Sequence, residues 1–273
     1  MGRCMRFAKM HGCGNDYVIV EEAEIKKTNL KNNMNELVKM ICERRRGIGS
    51  DGIIIIGQSD IADISMKMYN ADGSVGKMCG NGIRCLAKYA FENKITIKTA
   101  FSVETDAGIK NVKLRFNNLF VGSVRVDMGS PVIKETGMKY MYDGKMYIIT
   151  NVDMGNPHAV IFVDDVDSAP VCAVGNHLCS HPSFPEGVNT EFVTIVDSNN
   201  IRLRVWERGS GETMACGTGA CACVVACVEK YSTDKCINVH MPGGNLLIEY
   251  NTKENVVYME GEAVLVYEGI INI

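Results

Sequence analysis

The chain carries the same set of landmarks twice. Met78-Cys79-Gly80-Asn81-Gly82-Ile83-Arg84-Cys85 and Ala215-Cys216-Gly217-Thr218-Gly219-Ala220-Cys221 each set a cysteine before a Gly-x-Gly turn that leads into an apolar segment. Nine positions before Cys79 stands Asn70, and nine before Cys216 stands Glu207. Gly14-Asn15 opens one apolar strand-like run and Gly155-Asn156 opens another; Asn15 precedes Cys79 by 64 positions and Asn156 precedes Cys216 by 60. Four landmarks in one order at nearly one spacing predict two copies of a single unit related by a pseudo-twofold axis. A period this long excludes a solenoid.

The pattern between the landmarks sets the class of that unit. Met34, Leu37, Val38 and Ile41 fall at i, i+3, i+4 and i+7, which predicts a helix over 31–46 ending at Arg44-Arg45-Arg46. Ile83, Leu86, Ala87 and Ala90 repeat that spacing after Cys79, and residues 220–228 are apolar on every side, the mark of a buried helix. Residues 6–20 read as strand, turn and strand, Ile53–Ile56 as a strand buried on both faces, and 63–69 as a half-buried strand. Period-two alternation marks short strands around Ile95 and Ile97, Val112–Phe116 and Val124–Val126, then 147–150, 159–163 and 201–205. Residues 170–189, with three of the six prolines, read as loop with a short helix, and strands close the chain at 237–241, 246–250, 256–259 and 263–267. The expected class is α+β: two similar pseudo-symmetric domains, each with mostly antiparallel strands, divided near 122–126.

Composition narrows the function. At 273 residues, 46% hydrophobic and 22% charged, the chain suits a globular protein of two ordinary domains. A net charge of -3, with scattered Lys and Arg and only one tight run, Arg44-Arg45-Arg46, that reads as a solvated helix end, argues against a nucleic-acid partner. No signal peptide, myristoylation pattern or membrane-length apolar run is present, so a cytoplasmic location is expected, with the twelve cysteines reduced. None of the cysteines forms Cys-x-x-Cys, and Cys221, Cys223 and Cys227 are spread around one helix, so no metal site is expected. Gly47-Ile48-Gly49-Ser50-Asp51-Gly52 lacks the Lys and the spacing of a phosphate loop.

Two cysteines at helix starts suggest acid/base chemistry. A helix N-terminus favours a thiolate, with a pKa between about 3.5 and 7.5 against about 8.5 for a free thiol. It also offers backbone N–H groups to a carboxylate. Inverting a tetrahedral carbon needs a base on one face and an acid on the other, and a duplicated unit supplies such a pair. Free cysteines are more often small buried residues, the better account of Cys221, Cys223, Cys227 and Cys85. Symmetry sets Cys79 and Cys216 apart. A disulfide-exchange role for the two stays open from the residues alone. Glu207-Arg208 before Cys216 suits a second carboxylate or a surface ion pair. His158 after Asn156-Pro157 reads either as a thiol-tuning residue or as a structural one.

These stretches resemble the diaminopimelate epimerase family over nearly the whole length: KMHGCGND at 9–16, RRGIGSDG at 45–52, YNADGSVGKMCGNGIRC at 69–85, MGNPHAV at 154–160, FPEGVN at 184–189 and ERGSGETMACGTGAC at 207–221. The resemblance implies a cofactor-independent two-base isomerase that interconverts LL- and meso-diaminopimelate in lysine and cell-wall precursor synthesis. A related cofactor-free racemase acting on another amino acid is the alternative. It implies two domains, 1–123 plus 265–273 and 124–264, each a curved sheet around a central helix, with the active site in the cleft between them. By that resemblance Cys79 and Cys216 are the acid/base pair, assisted by His158 and Glu207. Asn15, Asn70, Gly80, Asn81, Asn156, Asn189, Glu207, Arg208, Gly217 and Thr218 would contact substrate. Some family members carry Gln where this chain has Gly52. The family also implies a homodimer.

Overall fold

A computed structural model describes residues 4–27, 33–231 and 233–273. The chain divides into two compact units: residues up to Val126 together with Gly261–Ile273, and Asp127–Glu260.

The first unit contains β1 (Cys4–Gly12), β2 (Asn15–Glu21), α1 (Glu22–Lys26), α2 (Met34–Cys42), β3 (Gly52–Gly57), β4 (Ile64–Asn70), β5 (Val75–Gly76), α3 (Gly80–Glu92), β6 (Ala100–Thr105), β7 (Gly108–Asn117) and β8 (Phe120–Gly129), closed by β18 (Val264–Asn272). Its strands pair in the order β18-β1-β2-β3-β4-β6-β7-β8, with β5 as a short hairpin arm on β4. The β2–β3 and β4–β6 pairs are parallel and the others antiparallel. Helices cover both faces of β3, and this is why Ile53–Ile56 is apolar without alternation. Ile53 and Ile55 join Leu37, Val38 and Ile41 of α2 in one core cluster. Ile54 turns the other way, so close to α3 that a Cβ built on Gly82 would lie 2.6 Å from its Cδ1.

The second unit holds β9 (Val132–Tyr142), β10 (Lys145–Asp153), β11 (Pro157–Phe162), α4 (Val171–Cys179), β12 (Asn189–Asp197), β13 (Asn200–Glu207), β14 (Gly211–Thr213), α5 (Gly217–Lys230), β15 (Cys236–Met241), β16 (Gly244–Asn251) and β17 (Val256–Gly261). The order is β9-β10-β11-β12-β13-β15-β16-β17 with β14 as the hairpin arm, and the parallel pairs are β11–β12 and β13–β15. Pair for pair this is the first unit's topology. Phe192 of β12 packs with Val171, Val174 and Leu178 of α4, while α5 is buried along Gly217 and from Gly219 to Cys227.

Three sequence expectations need correction. The helix expected to run to Arg46 ends at Cys42, because Ile48 N, Gly49 N and Ser50 N turn back to bond the carbonyls of Ile41 and Cys42; the expected start at 31–32 lies outside the described residues. Arg44, though exposed, lies beyond the helix and binds Asp16 and Asp51, each at 2.8 Å. The strand expected around Ile95 and Ile97 lies further on, at Ala100–Thr105. Ile95 N instead closes α3 on Ala90 O at 2.9 Å, and Ile97 is 85% exposed.

Candidate active site

Both singled-out cysteines sit at the N-cap of the equivalent helix of their unit. Cys79 caps α3 and Cys216 caps α5, each with an extended backbone, and their carbonyls accept from Ile83 N and Ala220 N at 2.9 Å. The glycines that follow let each helix start against its sheet. The first-turn N–H groups of a helix have no intrahelical acceptor, so each start can bind an anion.

In the first unit Cys79 is half-buried, and its Sγ lies 2.9 Å from the hydroxyl of Tyr17 on β2. Burial pushes the Tyr17 phenol well above its ordinary pKa, and the neighbouring Cys79 sulfur adds to the rise. Either group can donate in this contact, and a Cys79 thiolate would accept from the phenol. Asn81, buried in the first turn of α3, donates to Asn15 Oδ1 at 2.7 Å, and Asn15 donates to Asp51 at 3.1 Å. Asp51 is itself held by Asp16 N and Arg44. Asn70 ends β4 and donates to Ser74 at 2.9 Å. Asn15, Asn70, Cys79, Gly80 and Asn81 thus all belong to the turns and helix start of this unit.

In the second unit Cys216 is buried. Gly219 N donates to its Sγ at 3.4 Å, and Thr218 Oγ1 lies 3.5 Å from the same sulfur. Glu207 at the end of β13 accepts from Thr213. Burial raises the Glu207 carboxyl, and the hydrogen bond from Thr213 and the nearby Cys216 thiol pull it part of the way back. Asn189, buried at the start of β12, accepts from Arg208 N at 2.9 Å, and the exposed Arg208 guanidinium reaches Glu186 O.

A helix start by itself would depress the Cys216 pKa, and burial reverses that. Burial pushes this thiol well above its ordinary value, and the Glu207 and Glu191 carboxyl groups, where ionised, push the same way. Thr218 and Gly219 offset only part of that. A dipole at one helix end is worth at most about 2 kcal/mol, less than a fully buried thiolate loses in desolvation with carboxylates beside it.

His158 does not bond the sulfur directly. Its Nδ1 lies 2.6 Å from Glu191 Oε1 and its Nε2 3.1 Å from Asn156 Oδ1, while Asn156 Nδ2 reaches Thr218 Oγ1 at 3.5 Å. Tyr17 and Glu191 are absent from the residues picked by sequence. Each stands just after two polar residues at the start of its strand, where nothing but register reveals its direction. The one available signal was the duplication, which aligns Tyr17 with His158 and Ile54 with Glu191. Among the described residues no group of three His, Cys, Asp or Glu side chains could hold a metal ion.

The family model described as diaminopimelate epimerase matches residues 7–134 and 150–266. A diaminopimelate epimerase of Agathobacter rectalis is 47% identical over 98% of this chain and its own full length. One from Parabacteroides distasonis is 45% identical over the whole of both chains. Among solved structures, a probable proline racemase from Agrobacterium radiobacter superposes with a TM-score of 0.73 at 14% identity, over 98% of this chain and 92% of that one. A hydroxyproline epimerase from Agrobacterium vitis gives 0.71 at 13%, over 98% and 91%. At such identities the likeness is one of fold.

Proposed function

The chain belongs to the diaminopimelate epimerase family, and from that premise we propose that it interconverts LL- and meso-diaminopimelate by moving one proton on and off a single Cα. The observation that carries this reading is the pair of cysteines at the N-caps of equivalent helices. One sulfur, as thiolate, takes the Cα proton and becomes a thiol. The other, as thiol, gives its proton to the opposite face and becomes a thiolate. Charge and protons balance over the turnover, and no redox partner or cofactor is required.

The surrounding groups supply what the step needs. Removing the Cα proton builds negative charge on the substrate carboxylate, which the helix-start N–H groups beside Gly80, Asn81, Gly217 and Thr218 are suited to stabilise; one such donor is worth about 3 kcal/mol. Glu207, whose carboxyl interacts electrostatically with Cys216, can hold the thiol proton when the sulfur must act as base. Asn15, Asn70, Asn156, Asn189 and Arg208 carry amide and guanidinium groups suited to the distal amino-acid end. A related racemase for a simple amino acid would have no use for the Arg208 guanidinium. We also read the chain as a cytoplasmic homodimer, as the family implies, with the number of chains per particle to be read by light scattering.

The test is Cα deuterium uptake from D2O by diaminopimelate with reduced protein and no added cofactor. Wild type is expected to exchange and epimerise. Cys79→Ala and Cys216→Ala should each lose epimerisation by about 10²–10⁴-fold, the range for removal of a general acid or base. Absence of exchange in wild type, or undiminished epimerisation in either variant, refutes the reading.

A further inference from the structure

Glu191 is a fully buried carboxyl with no role in the chemistry described so far. It lies on β12 beneath the start of α5, so close that a Cβ on Gly219 would lie 2.7 Å from its Oε1. That oxygen meets His158 Nδ1 at 2.6 Å, and among the described residues nothing donates to its Oε2. The first unit has no such group. Its β2–β3 register pairs Ile19 with Ile54 as the β11–β12 register pairs Val160 with Glu191, and Ile54 fills the equivalent place under Gly82. The fold itself is therefore satisfied by an apolar side chain here, and a carboxyl at the same spot asks for a reason.

The reason lies in a chain of contacts leading to the sulfur. From Glu191 Oε1 it runs through the His158 ring to Asn156 Oδ1 at 3.1 Å, from Asn156 Nδ2 to Thr218 Oγ1 at 3.5 Å, and from there to Cys216 Sγ at 3.5 Å. Its direction depends on where one proton sits. If Glu191 donates to Nδ1, the ring carries its hydrogen on Nε2 and donates to the Asn156 carbonyl. The Asn156 amide then donates to Thr218, and the Thr218 hydroxyl is left to donate to the Cys216 sulfur. If Glu191 accepts from a neutral ring, every link reverses, and Thr218 turns its hydrogen away from the sulfur.

We propose that Glu191 is a positioning residue that, as a neutral carboxyl, holds His158 in its Nε2–H form and so directs the Asn156–Thr218 hydrogen bonds toward Cys216. Burial, with the second oxygen unbonded, favours the proton on the carboxyl, more than the His158 contact opposes it. The other titratable groups facing Glu191 agree: Glu207 on β13 and Cys216 and Cys223 at α5 would all be repelled by an ionised Glu191. A neutral Glu191 also removes one of the two carboxylate charges that raise the Cys216 thiol. The catalytic part of this inference rests on the epimerase reading; the ring's tautomer does not.

Two measurements test it. Nitrogen-15 NMR of histidine-labelled protein without substrate reads the His158 tautomer, expected as Nε2–H in wild type and in Glu191→Gln, whose amide can donate to Nδ1 as the neutral carboxyl does. In the epimerase assay Glu191→Gln should keep kcat within about threefold, while Glu191→Leu, folded by circular dichroism as Ile54 leads one to expect, should lose at least tenfold in kcat. A neutral Nδ1–H ring or a doubly protonated ring in wild type overturns the proposal whatever the assay shows. So does a Gln variant as impaired as the Leu variant, or a folded Leu variant with wild-type kcat. If Glu191→Leu does not fold, the wild-type tautomer and the Gln variant still decide. A wild type that shows the Nε2–H ring but no Cα exchange would sink the epimerase reading, and with it the catalytic consequence, while leaving the tautomer assignment standing.

Discussion

Tyr17 and His158 occupy the same place in the two units, the third residue of a Gly-Asn-x-Tyr or Gly-Asn-x-His turn counted from Asn, yet they serve their cysteines differently. Tyr17 touches Cys79 directly at 2.9 Å. A hydrogen bond to a charged partner contributes about 1.5–3 kcal/mol, so Tyr17→Phe should lower kcat/KM by about 10–100-fold with the ring's packing intact. Rates within twofold of wild type would remove the hydroxyl from the mechanism. Asp16, one residue earlier, does structural work. Burial raises its carboxyl, but hydrogen bonds from Arg44 and Lys9 outweigh that and hold it well below the usual range. A depressed carboxyl contributes stability above its unfolded pKa of about 3.9 and loses it as pH falls through the folded value. With solvent screening allowed for, Asp16→Asn should cost about 1–2 kcal/mol at pH 7. The gap between variant and wild type in urea should narrow steadily below pH 4. An equal gap at pH 7 and pH 3 would show that the loss comes from geometry rather than charge.

Helix starts and strand pairs explain which parts of the chain were readable. The helices beginning at Gly80 and Gly217 were legible because apolar spacing, a preceding turn and the duplication agree. The short α1 and the long β9 were not, since β9 is mostly exposed and shows no apolar alternation. Ile95 and Ile97 alternate as a strand would, but the C-terminal capping of α3 claims that backbone. Tyr17 and Glu191 were hidden for a different reason: each sits at the polar start of its strand, Asn15-Asp16-Tyr17 in β2 and Asn189-Thr190-Glu191 in β12, where the pattern does not say which side chains turn inward. Packing of α4 could not be read at all, because Gly175 carries no pattern. Yet a Cβ there would lie 2.3 Å from Trp206 Cβ and 2.5 Å from its Cγ. Atoms that near the β13 backbone cannot rotate aside. Gly175→Ala gains about 1 kcal/mol of helix propensity and should still destabilise by about 1–3 kcal/mol net, since overpacking of this kind exceeds that gain. Trp206 is the chain's one tryptophan, so its fluorescence in urea reads the change; an unshifted midpoint would mean α4 can slide.

The first unit is completed by the end of the chain. β18 runs antiparallel to β1 from Asn272 opposite Cys4 to Val264 opposite His11. Most of its side chains are exposed, so what it supplies is chiefly main-chain pairing, with an edge contact between Phe7 and Tyr267 at 5.9 Å. Just before it, Glu262 O accepts from Arg84 Nε at 3.2 Å. Arg84 is fully buried and also donates to Gly80 O at 3.1 Å and to Cys13 Sγ at 3.4 Å. Removing residues 262–273 would therefore act twice. It would leave β1, with Met5 and Phe7 on its inner face, as an unpaired edge. It would also strip one partner from a buried guanidinium that braces the start of α3, and an unsatisfied charged group costs more than the roughly 1–3 kcal/mol of a neutral one. Hydrogen exchange should show β1 and the first turn of α3 losing protection, with epimerisation falling alongside. The urea transition followed by Trp206 reports the other unit and should stay near its wild-type midpoint. Unchanged protection in β1 would mean that its own hairpin with β2 suffices. Loss of the Trp206 transition would mean that the second unit does not hold its fold without the closing strand.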